Sequence, residues 1–587
     1  MNRMDRIAGA PSLVFDFPDG QGGRRRLGFV EPEGEVLALS FSEVRPALRE
    51  VDGAARRGLY AAGYVAYEAA PAFDPALKVR DGSEIPLLWF GLYREPVDFT
   101  FREPSLGFSL SPWQPTTSRE DYDRNIARIR QAIAEGITYQ VNYTLRLEAE
   151  FEGDDWALYN RLKLAQGDGY CAYLDLGRFC ILSASPELFF RREKDRIITR
   201  PMKGTVRRGR WNEEDQELSC WLAASEKNQA ENVMIVDLLR NDLGRLAEIG
   251  SVRVPRLFEI ERYRTVFQMT STIDARIPPT TTLEDIMAAL FPSGSVTGAP
   301  KVSTMDLIAQ LEDRPRQVYC GSIGIVSPAG MAVFNVAIRT MLIDRDKGRA
   351  VYGVGGGIVW DSTAEDEYRE ALLKAAVLGD GWPRFDLLET LRWDGKSYFL
   401  LEAHLRRLAR SAEYFDIPLS MEAIESALEK QAQSFPQQGR RVRLLVSPEG
   451  EVRVESDPLP APSSVPLPVT LAPRPICRSN RFLYHKTTYR SFYDDLKRGR
   501  PEVFDVLLWN EEGELTEFTI GNLVLEMEGR FWTPPRESGL LPGVFRESLL
   551  RQGKIHERTL SMDDLGKSSS LWLINSLRGW VPVCLID

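Results

Sequence analysis

Histidine is nearly missing: the 587 residues hold three, and none precedes His404. Proton transfer upstream of that point must use Lys, Glu, Asp, Tyr or a bound metal, because imidazole is not there to do it. Cysteine is sparse as well. The six (Cys171, Cys180, Cys220, Cys320, Cys477 and Cys584) are dispersed with no CxxC pair, the pattern of reduced thiols rather than of a disulfide framework. No apolar run is long enough to span a bilayer, and the polar N-terminus lacks a signal core, so a cytoplasmic location is expected and no membrane partner. Basic charge is not in excess either. The 74 Lys and Arg against 84 Asp and Glu leave −10, which disfavours nucleic acid as a partner.

What is present is an ordinary globular composition on a chain too long for one core, so two to four domains are expected. Residues 1–118 alternate strand-like pieces (SLVFDF, RLGFV, EVLALS, GYVAYEA, PLLWFGLY) with Gly and Pro turns. Ser118 is placed to N-cap a helix with Tyr122, Ile126, Ile129 and Ile133 on one face. Strands and helices alternate to about Leu378, with a long helix near 226–242 and another from about Ala364 to Val377. GDGWP (379–383) punctuates the chain. After it a strand–turn–strand and a basic helix from about Glu402 restart the pattern. The expected domains are 1–118, completing its neighbour rather than folding alone, then 119–378 and 383–587. The Pro-rich DPLPAPSSVPLP (457–468) would connect two lobes of the last.

Two lysines stand in unusual settings, Lys203 in TRPMKGT and Lys486 in YHKTTYR. A buried lysine that sheds its proton becomes an amine nucleophile or a Schiff-base partner. The helix over 225–246 carries Glu231, Asp237, Asn241 and Asp242, and EDEYREALLKA puts Glu367, Glu370 and Lys374 on one helical face. Carboxylates from separate helices suit Mg²⁺ with open water positions, although an acidic helix face taken alone is more often just a solvated one. Arg339, at the end of the apolar run FNVAIRT, calls for a carboxylate, either the protein's own or a ligand's. GVGGGI (353–358) reads as a loop whose bare N–H groups could cradle an anion.

With TYQVN, SASPELFF, TRPMKGT, AENVMIVDLLRNDLGR, FPSGSVTGAPK, IRT, GGGIVWDS and EYRE in that order, residues 119–378 resemble the chorismate-utilising enzymes. These include anthranilate, isochorismate, salicylate and aminodeoxychorismate synthases. The resemblance implies an α+β fold, a two-lobed β-sandwich with outer helices, and chorismate as substrate. It implies Glu187 as general acid on the leaving ring hydroxyl, and Glu231 and Glu370 as Mg²⁺ ligands with Glu367 beside them. Arg339, Tyr319 and the backbone at Gly355 and Gly356 would hold the substrate carboxylates, with Gly204, Thr205, Thr297 and Lys374 lining the pocket. Gln140 stands where water-adding members carry a lysine base, which disfavours water addition. PMKGT resembles the aminodeoxychorismate branch rather than the PxAGT of anthranilate synthases. It implies Lys203, with a depressed pKa, as a nucleophile at ring position 2, followed by ammonia at position 4. A glutaminase needs a Cys activated by His; the first 403 residues have none, and the rest of the chain resembles a family that employs its histidines otherwise. Ammonia is therefore expected from a glutamine amidotransferase subunit in trans, or free from solution.

Beyond Trp382, FDLLETL, HLRRLARSA, YHKTTYR, DVLLWNEEGELTEFTIGNLV and SGLLPGVFR resemble the fold-type IV pyridoxal phosphate enzymes. That family includes branched-chain and D-amino acid aminotransferases and aminodeoxychorismate lyase. The resemblance implies a two-lobed α/β domain with Lys486 linked to the cofactor, Glu517 against its pyridinium nitrogen and Arg407 on its phosphate. Thr519 and Asn522 would shape the pocket, and the domain could mediate a homodimer. Phe545 replaces the Thr common after GV, removing one hydroxyl from the expected phosphate contacts. NSLRGW (575–580) resembles the terminal substrate-loop motif of fused lyases. The two halves together imply amination of chorismate followed by loss of pyruvate to give 4-aminobenzoate, a folate precursor. Three alternatives stay open: an aminotransferase-like last domain, a non-catalytic cofactor-binding module in its place, or anthranilate as the first product.

Overall fold

Strands such as Leu13–Pro18 and Ser322–Val326 are apolar at nearly every position, and strands of that kind need cover on both faces. The computed structural model supplies it. It describes residues 12–20, 22–98, 107–379, 383–435, 438–461, 465–498 and 500–586, with the side chains of 376 and 377 set aside. The GDGWP join at 380–382 and part of the Pro-rich connector, 462–464, lie outside the described residues. The chain divides into two units: 1–207 with 219–382, and 208–218 with 383–587.

The first unit is built on two ten-stranded antiparallel sheets. One runs Gln140–Gly153, Arg349–Ile358, Thr340–Asp344, Phe179–Ser185, Tyr170–Asp175, Leu13–Pro18 and Arg24–Phe29 in spatial order, with Gly298–Ala299 at its outer edge. The other runs Met202–Arg207, Val266–Arg276, Arg196–Arg200, Leu188–Glu193, Ala332–Val336, Ser322–Val326, Tyr60–Val65, Leu88–Tyr93 and Gly34–Ala38. Leu13, Phe15 and Ile181 of the first sheet share a buried cluster with Ala62, Ile325 and Val333 of the second, so the sheets pack face to face. Helices cover the outer faces. Arg119–Ala134 buries Tyr122, Ile126 and Ile129 against the first sheet, with Ser118 Oγ accepting the Asp121 N–H at its start. Each such side chain contributes roughly 1.5–3 kcal/mol by leaving water. Glu226–Gly244 does the same against the second sheet through Ile235, Val236, Leu239 and Leu243. This is the two-lobed sandwich with outer helices that the motifs imply. Strands before residue 118 sit in both sheets.

Two local expectations need correction. Residues Phe41–Arg56 form a helix, capped by Ser40 with Glu43 reaching back, where only strands and turns were expected. Pro46 and Gly53 disguise it: Pro46 stands inside the helix, where its ring removes one i→i−4 hydrogen bond, a loss that the burial of Val44, Leu48 and Val51 outweighs. GVGGGI is not a loop. Its residues close the strand Arg349–Ile358 and pair with Val141–Arg146.

In the second unit a three-stranded sheet (Leu387–Trp393, Arg440–Val446, Val452–Pro458) carries the helices Leu401–Phe415 and Met421–Gln433. An eight-stranded mixed sheet follows, and pairing of Leu515–Phe518 with Gly521–Met527 closes part of it on itself. The segment 208–218 belongs here. Trp211 joins the cluster of Ala472, Leu483 and Tyr484, and Tyr414 Oη donates to the Gly209 carbonyl at 2.6 Å.

Candidate functional site

Two crossings from sheet to sheet position the polar groups of the first unit. Glu187 stands where the chain leaves Phe179–Ser185 for Leu188–Glu193, and Arg339 where it leaves Ala332–Val336 for Thr340–Asp344. The crossings are bonded together: Ser185 Oγ donates to the Val336 carbonyl at 2.6 Å, and the Ala184 N–H to the Arg339 carbonyl at 3.0 Å. Arg339 takes a left-handed φ of 49°, a strain the double crossing holds in place. Its guanidinium donates to Gln166 Oε1. Among the described residues no carboxylate pairs with it, and burial pushes its pKa down. Glu187 is buried, its Oε1 accepts Ser295 Oγ at 2.6 Å, and burial lifts its pKa to about 7. A carboxyl in that state can donate a proton near neutrality.

Lys203 comes from the strand Met202–Arg207. The register against Val266–Arg276 slips between Met202 and Thr205, and Gly204 adopts φ 94° there. Such a bulge re-aims a side chain. A Cβ added to Gly357 would lie 2.8 Å from Lys203 Nζ and 2.4 Å from Gln140 Nε2, so the glycine leaves room for both. Burial lowers the Lys203 pKa, with Glu231 opposing and Lys374 adding to the effect. Gln140 is fully buried, and among the described residues neither polar atom of its side chain has a hydrogen-bond partner. A buried amide left in that state is waiting for a ligand or water.

Gly355, Gly356 and Gly357 belong to a strand paired on one side to Asn142–Thr144; the neighbouring strand on the other side stops at Met341, opposite Tyr352. Lys374 Nζ bonds the Gly355 carbonyl at 2.8 Å and Glu370 at 2.7 Å. Tyr319 is buried with Arg146 5.3 Å from its ring centre, in space that Gly353 leaves open. Thr205 Oγ1 donates to Gln268 and Thr297 Oγ1 to the Ser293 carbonyl, so both hydroxyl protons are engaged within the protein.

Glu367 and Glu370 both face Gly356, whose added Cβ would lie 3.1 and 3.8 Å from their oxygens. Burial raises the pKa of Glu231 and of Glu367, the latter also through Glu370, whereas Lys374 lowers that of Glu370. Among the described residues no three His, Cys, Asp or Glu side chains stand close enough to hold an ion unaided. Mg²⁺ does not need that. One or two carboxylates with waters and substrate oxygens suffice, and Glu231 and Glu367, whose pKa burial raises, fit it, whereas Glu370 already has Lys374 at 2.7 Å.

In the second unit Lys486 lies in a cavity of about 460 Å³ with Arg407, Glu517, Thr519, Asn522 and Gly543 on its walls. The Leu388 N–H bonds the Lys486 carbonyl at 3.0 Å, fixing the loop to the strand Leu387–Trp393. Burial, helped by Arg407, lowers the amine to about 8. Glu517 is buried and raised to about 8, although its Oε1 accepts Tyr493 Oη at 2.7 Å. Arg407 is gripped by buried Glu389 at 2.9 and 2.6 Å, and Glu389 in turn bonds His404 Nδ1 at 2.7 Å. Against its own burial, Arg407 and His404 hold Glu389 at about 2. His485 is structural: its ring nitrogens bond Ser411 Oγ and the Arg210 carbonyl, and burial keeps it neutral with a pKa of about 3. Thr519 Oγ1 is given to Asp505. Phe545 packs 6.1 Å from Phe399, away from the cavity wall, where its neighbours Gly543 and Val544 open the helix Val544–Arg551.

Residues 29–380 match the chorismate binding enzyme family. The chain belongs to that family. The chorismate-binding part is 41% identical over 286 residues to aminodeoxychorismate synthase component 1 of Salmonella typhimurium, covering 49% of this chain and 61% of that protein. It is 34% identical over 396 residues to anthranilate synthase component 1 of Methanothermobacter thermautotrophicus, covering 61% and 84%. Among solved structures it resembles anthranilate synthase component I from Streptococcus pneumoniae, with 26% identity, a TM-score of 0.50 and coverage of 64% and 94%. The match thus spans about three fifths of the Salmonella protein. Residues 386–586 match amino-transferase class IV, a family that implies pyridoxal phosphate. The second cavity fits that group. Burial leaves its lysine amine about half deprotonated at pH 8, its buried carboxyl has no ion-pair partner among the described residues, and a Cβ on Gly543 would intrude to 2.1 Å from Asn522 Oδ1. No helix among the described residues is long and apolar enough to cross a membrane.

Sequence reasoning passed over three participants. Asn232, buried on the helix Glu226–Gly244, donates to the carbonyls of Lys203 at 3.4 Å and Met269 at 3.3 Å and accepts Ser271 Oγ at 2.6 Å, steadying the lysine's strand. Ser295 orients Glu187, and Glu389 orients Arg407. Each acts through another residue, and no local pattern singles such residues out.

Proposed function

We propose that the first unit aminates chorismate to 4-amino-4-deoxychorismate, and that the second releases pyruvate from this product to give 4-aminobenzoate for folate synthesis. The observation that carries the proposal is Lys203, an amine depressed by burial that faces the same glycine gap as the unsatisfied Gln140. Lys203 Nζ bonds to ring carbon 2 as the bond from carbon 4 to its hydroxyl breaks. Glu187 gives that hydroxyl its proton, and it departs as water. Ammonia then bonds to carbon 4 and expels Lys203, and the proton it sheds returns to Glu187. Splitting one displacement into two lowers each barrier. Arg339, without a carboxylate of its own, anchors a substrate carboxylate, and the Gly355–Gly357 backbone receives the other. Mg²⁺, held by Glu231, Glu367 and Glu370, would supply positive charge against the anionic substrate.

In the second unit pyridoxal phosphate, when bound, supplies an electron sink for a deprotonated carbon. Lys486 would hold it and would take the proton from the ring carbon bearing the substrate amine. Glu517 would serve its pyridine nitrogen, Arg407 with the backbone at Gly543 and Val544 its phosphate, and Thr519 and Asn522 its ring. His404 and His485 are committed to Glu389 and Ser411. The ammonia would come from a glutamine amidotransferase subunit in trans or from solution, a reading supported by the component 1 name of the relatives. Dimerisation through the second unit completes the reading, and sedimentation tests it.

The test is one incubation with chorismate, Mg²⁺ and ammonium, with and without pyridoxal phosphate, resolved by mass. The expected products are 4-aminobenzoate with cofactor and 4-amino-4-deoxychorismate without it; anthranilate would overturn the assignment. The class IV match also favours a second reading, an aminotransferase. A keto-acid requirement for consuming 4-amino-4-deoxychorismate would select it.

A further inference from the structure

The wall of the second cavity carries far more positive charge than the cofactor accounts for. Six cationic side chains line it, Lys486, Arg407, Arg441, Arg443, Arg490 and Arg578, against one carboxyl, Glu517. Lys486 and Arg407 belong to the cofactor end. Arg443 is satisfied by Glu455 at 2.9 Å, and Arg490 donates to the Thr519 carbonyl at 2.6 Å and lies over the Tyr493 ring. Among the described residues Arg441 has only a loose, half-exposed carboxylate partner, Asp457 at 3.9 Å. Among the described residues Arg578 has no carboxylate at all. Its guanidinium lies 5.4 Å from the centre of the Phe504 ring, and burial and the charge of Arg441 both press its pKa down.

Its backbone is nevertheless built in. Arg578 lies in the turn joining Ser570–Asn575 to Gly579–Leu585, and Asn575 Oδ1 accepts the N–H groups of Leu577 at 3.1 Å and Arg578 at 2.8 Å. Asn575 Nδ2 ties the turn to the Ile520 carbonyl at 3.1 Å. Arg441 and Arg443 stand two residues apart on Arg440–Val446 and so point to one face, the face that lines the cavity. Two guanidinium groups that repel each other, one held by an ordered turn and neither closely paired, form a place for an anion.

We infer that Arg578, with Arg441 beside it, is a carboxylate subsite that selects amine substrates carrying an acid group remote from the reacting carbon. The inference rests on the lyase reading of this cavity, whose substrate is a dicarboxylate. An amino acid with an alkyl side chain would leave the subsite empty.

The test uses the holoenzyme and two unreactive probes, 3-(carboxymethoxy)benzoate with two carboxylates and 3-methoxybenzoate with one. Binding is followed by calorimetry and by the absorbance of the lysine-linked cofactor. Arg578→Gln is expected to weaken the dicarboxylate by about 10-fold or more, equivalent to about 1.4 kcal/mol. The monocarboxylate should move less than about 3-fold by the same reasoning, and the absorbance without probe should not change. Arg441→Gln should shift the same ratio in the same direction. An unchanged ratio of the two affinities in Arg578→Gln overturns the inference. Wild-type enzyme supplied with 4-amino-4-deoxychorismate and no keto acid separates the two failures. If 4-aminobenzoate appears while the ratio is unchanged, only the subsite falls; if none appears, the lyase reading falls, and the subsite's assigned role with it.

Discussion

Ser295→Ala isolates the control of the proposed acid. Ser295 Oγ donates to Glu187 Oε1 at 2.6 Å inside a buried site, and Glu187 sits at about 7 because burial outweighs that bond and the attraction of Lys203. The hydrogen bond favours the ionised carboxylate. A bond to a charged acceptor is worth about 1.5–3 kcal/mol, and one pKa unit corresponds to about 1.4 kcal/mol. Removing the hydroxyl should therefore raise the Glu187 pKa by about one to two units. Glu187 works protonated, so kcat/KM for chorismate should fall as pH rises through about 7 in the wild type. In Ser295→Ala the descending limb should move in the alkaline direction, while the plateau drops modestly from lost orientation. The assay is chorismate consumption with ammonium and Mg²⁺ across about pH 5–10, from about two units below the wild-type inflection to beyond the shifted one. Glu187→Gln provides the control: it should lose roughly 10²–10⁴ in kcat and show no such limb. An alkaline limb identical in wild type and Ser295→Ala, or one that survives in Glu187→Gln, would refute the assignment.

Lys486→Ala should abolish both the absorbance of the lysine-linked cofactor and 4-aminobenzoate release, while 4-amino-4-deoxychorismate accumulates at the wild-type rate, all read from one time course. Gly357→Ala would put a methyl group 2.4 Å from Gln140 Nε2 and 2.8 Å from Lys203 Nζ. Both atoms end flexible side chains, so turnover should fall at least about 10-fold while unfolding by denaturant changes by no more than about 1 kcal/mol. Asn232→Ala strips a buried amide of bonds to Lys203, Met269 and Ser271, and the groups left behind should cost about 1–3 kcal/mol in the same unfolding measurement, with a further loss of chorismate turnover.

Legibility followed the range of the physics involved. The helix begun by Ser118 could be read because its cap and its Tyr122, Ile126 and Ile129 stripe lie within a few turns. The helix Phe41–Arg56 could not, because Pro46 and Gly53 hid a periodicity that tertiary burial of Val44, Leu48 and Val51 upholds. Arg339 was visible as an arginine in an apolar run. That the run breaks there, passing between sheets beside the Glu187 crossing, depends on pairings with strands far away in the chain. The segment 208–218 offered no local sign that Trp211 would pack with Tyr484. The site's composition was readable from motifs, but the members that hold others in place, Asn232 and Ser295, were not, since their role exists only in three dimensions.

Where Gly355, Gly356 and Gly357 lie, the protein presents peptide units and nothing else. A Cβ at Gly355 would lie 2.3 Å from the Tyr143 carbonyl and one at Gly357 2.4 Å from Gln140 Nε2, so a side chain there intrudes before it can offer new chemistry. Any divergence of this enzyme toward a different nucleophile or ring must therefore arise from the surrounding side chains, Lys203, Gln140 and Arg339 among them, around a backbone that stays chemically constant.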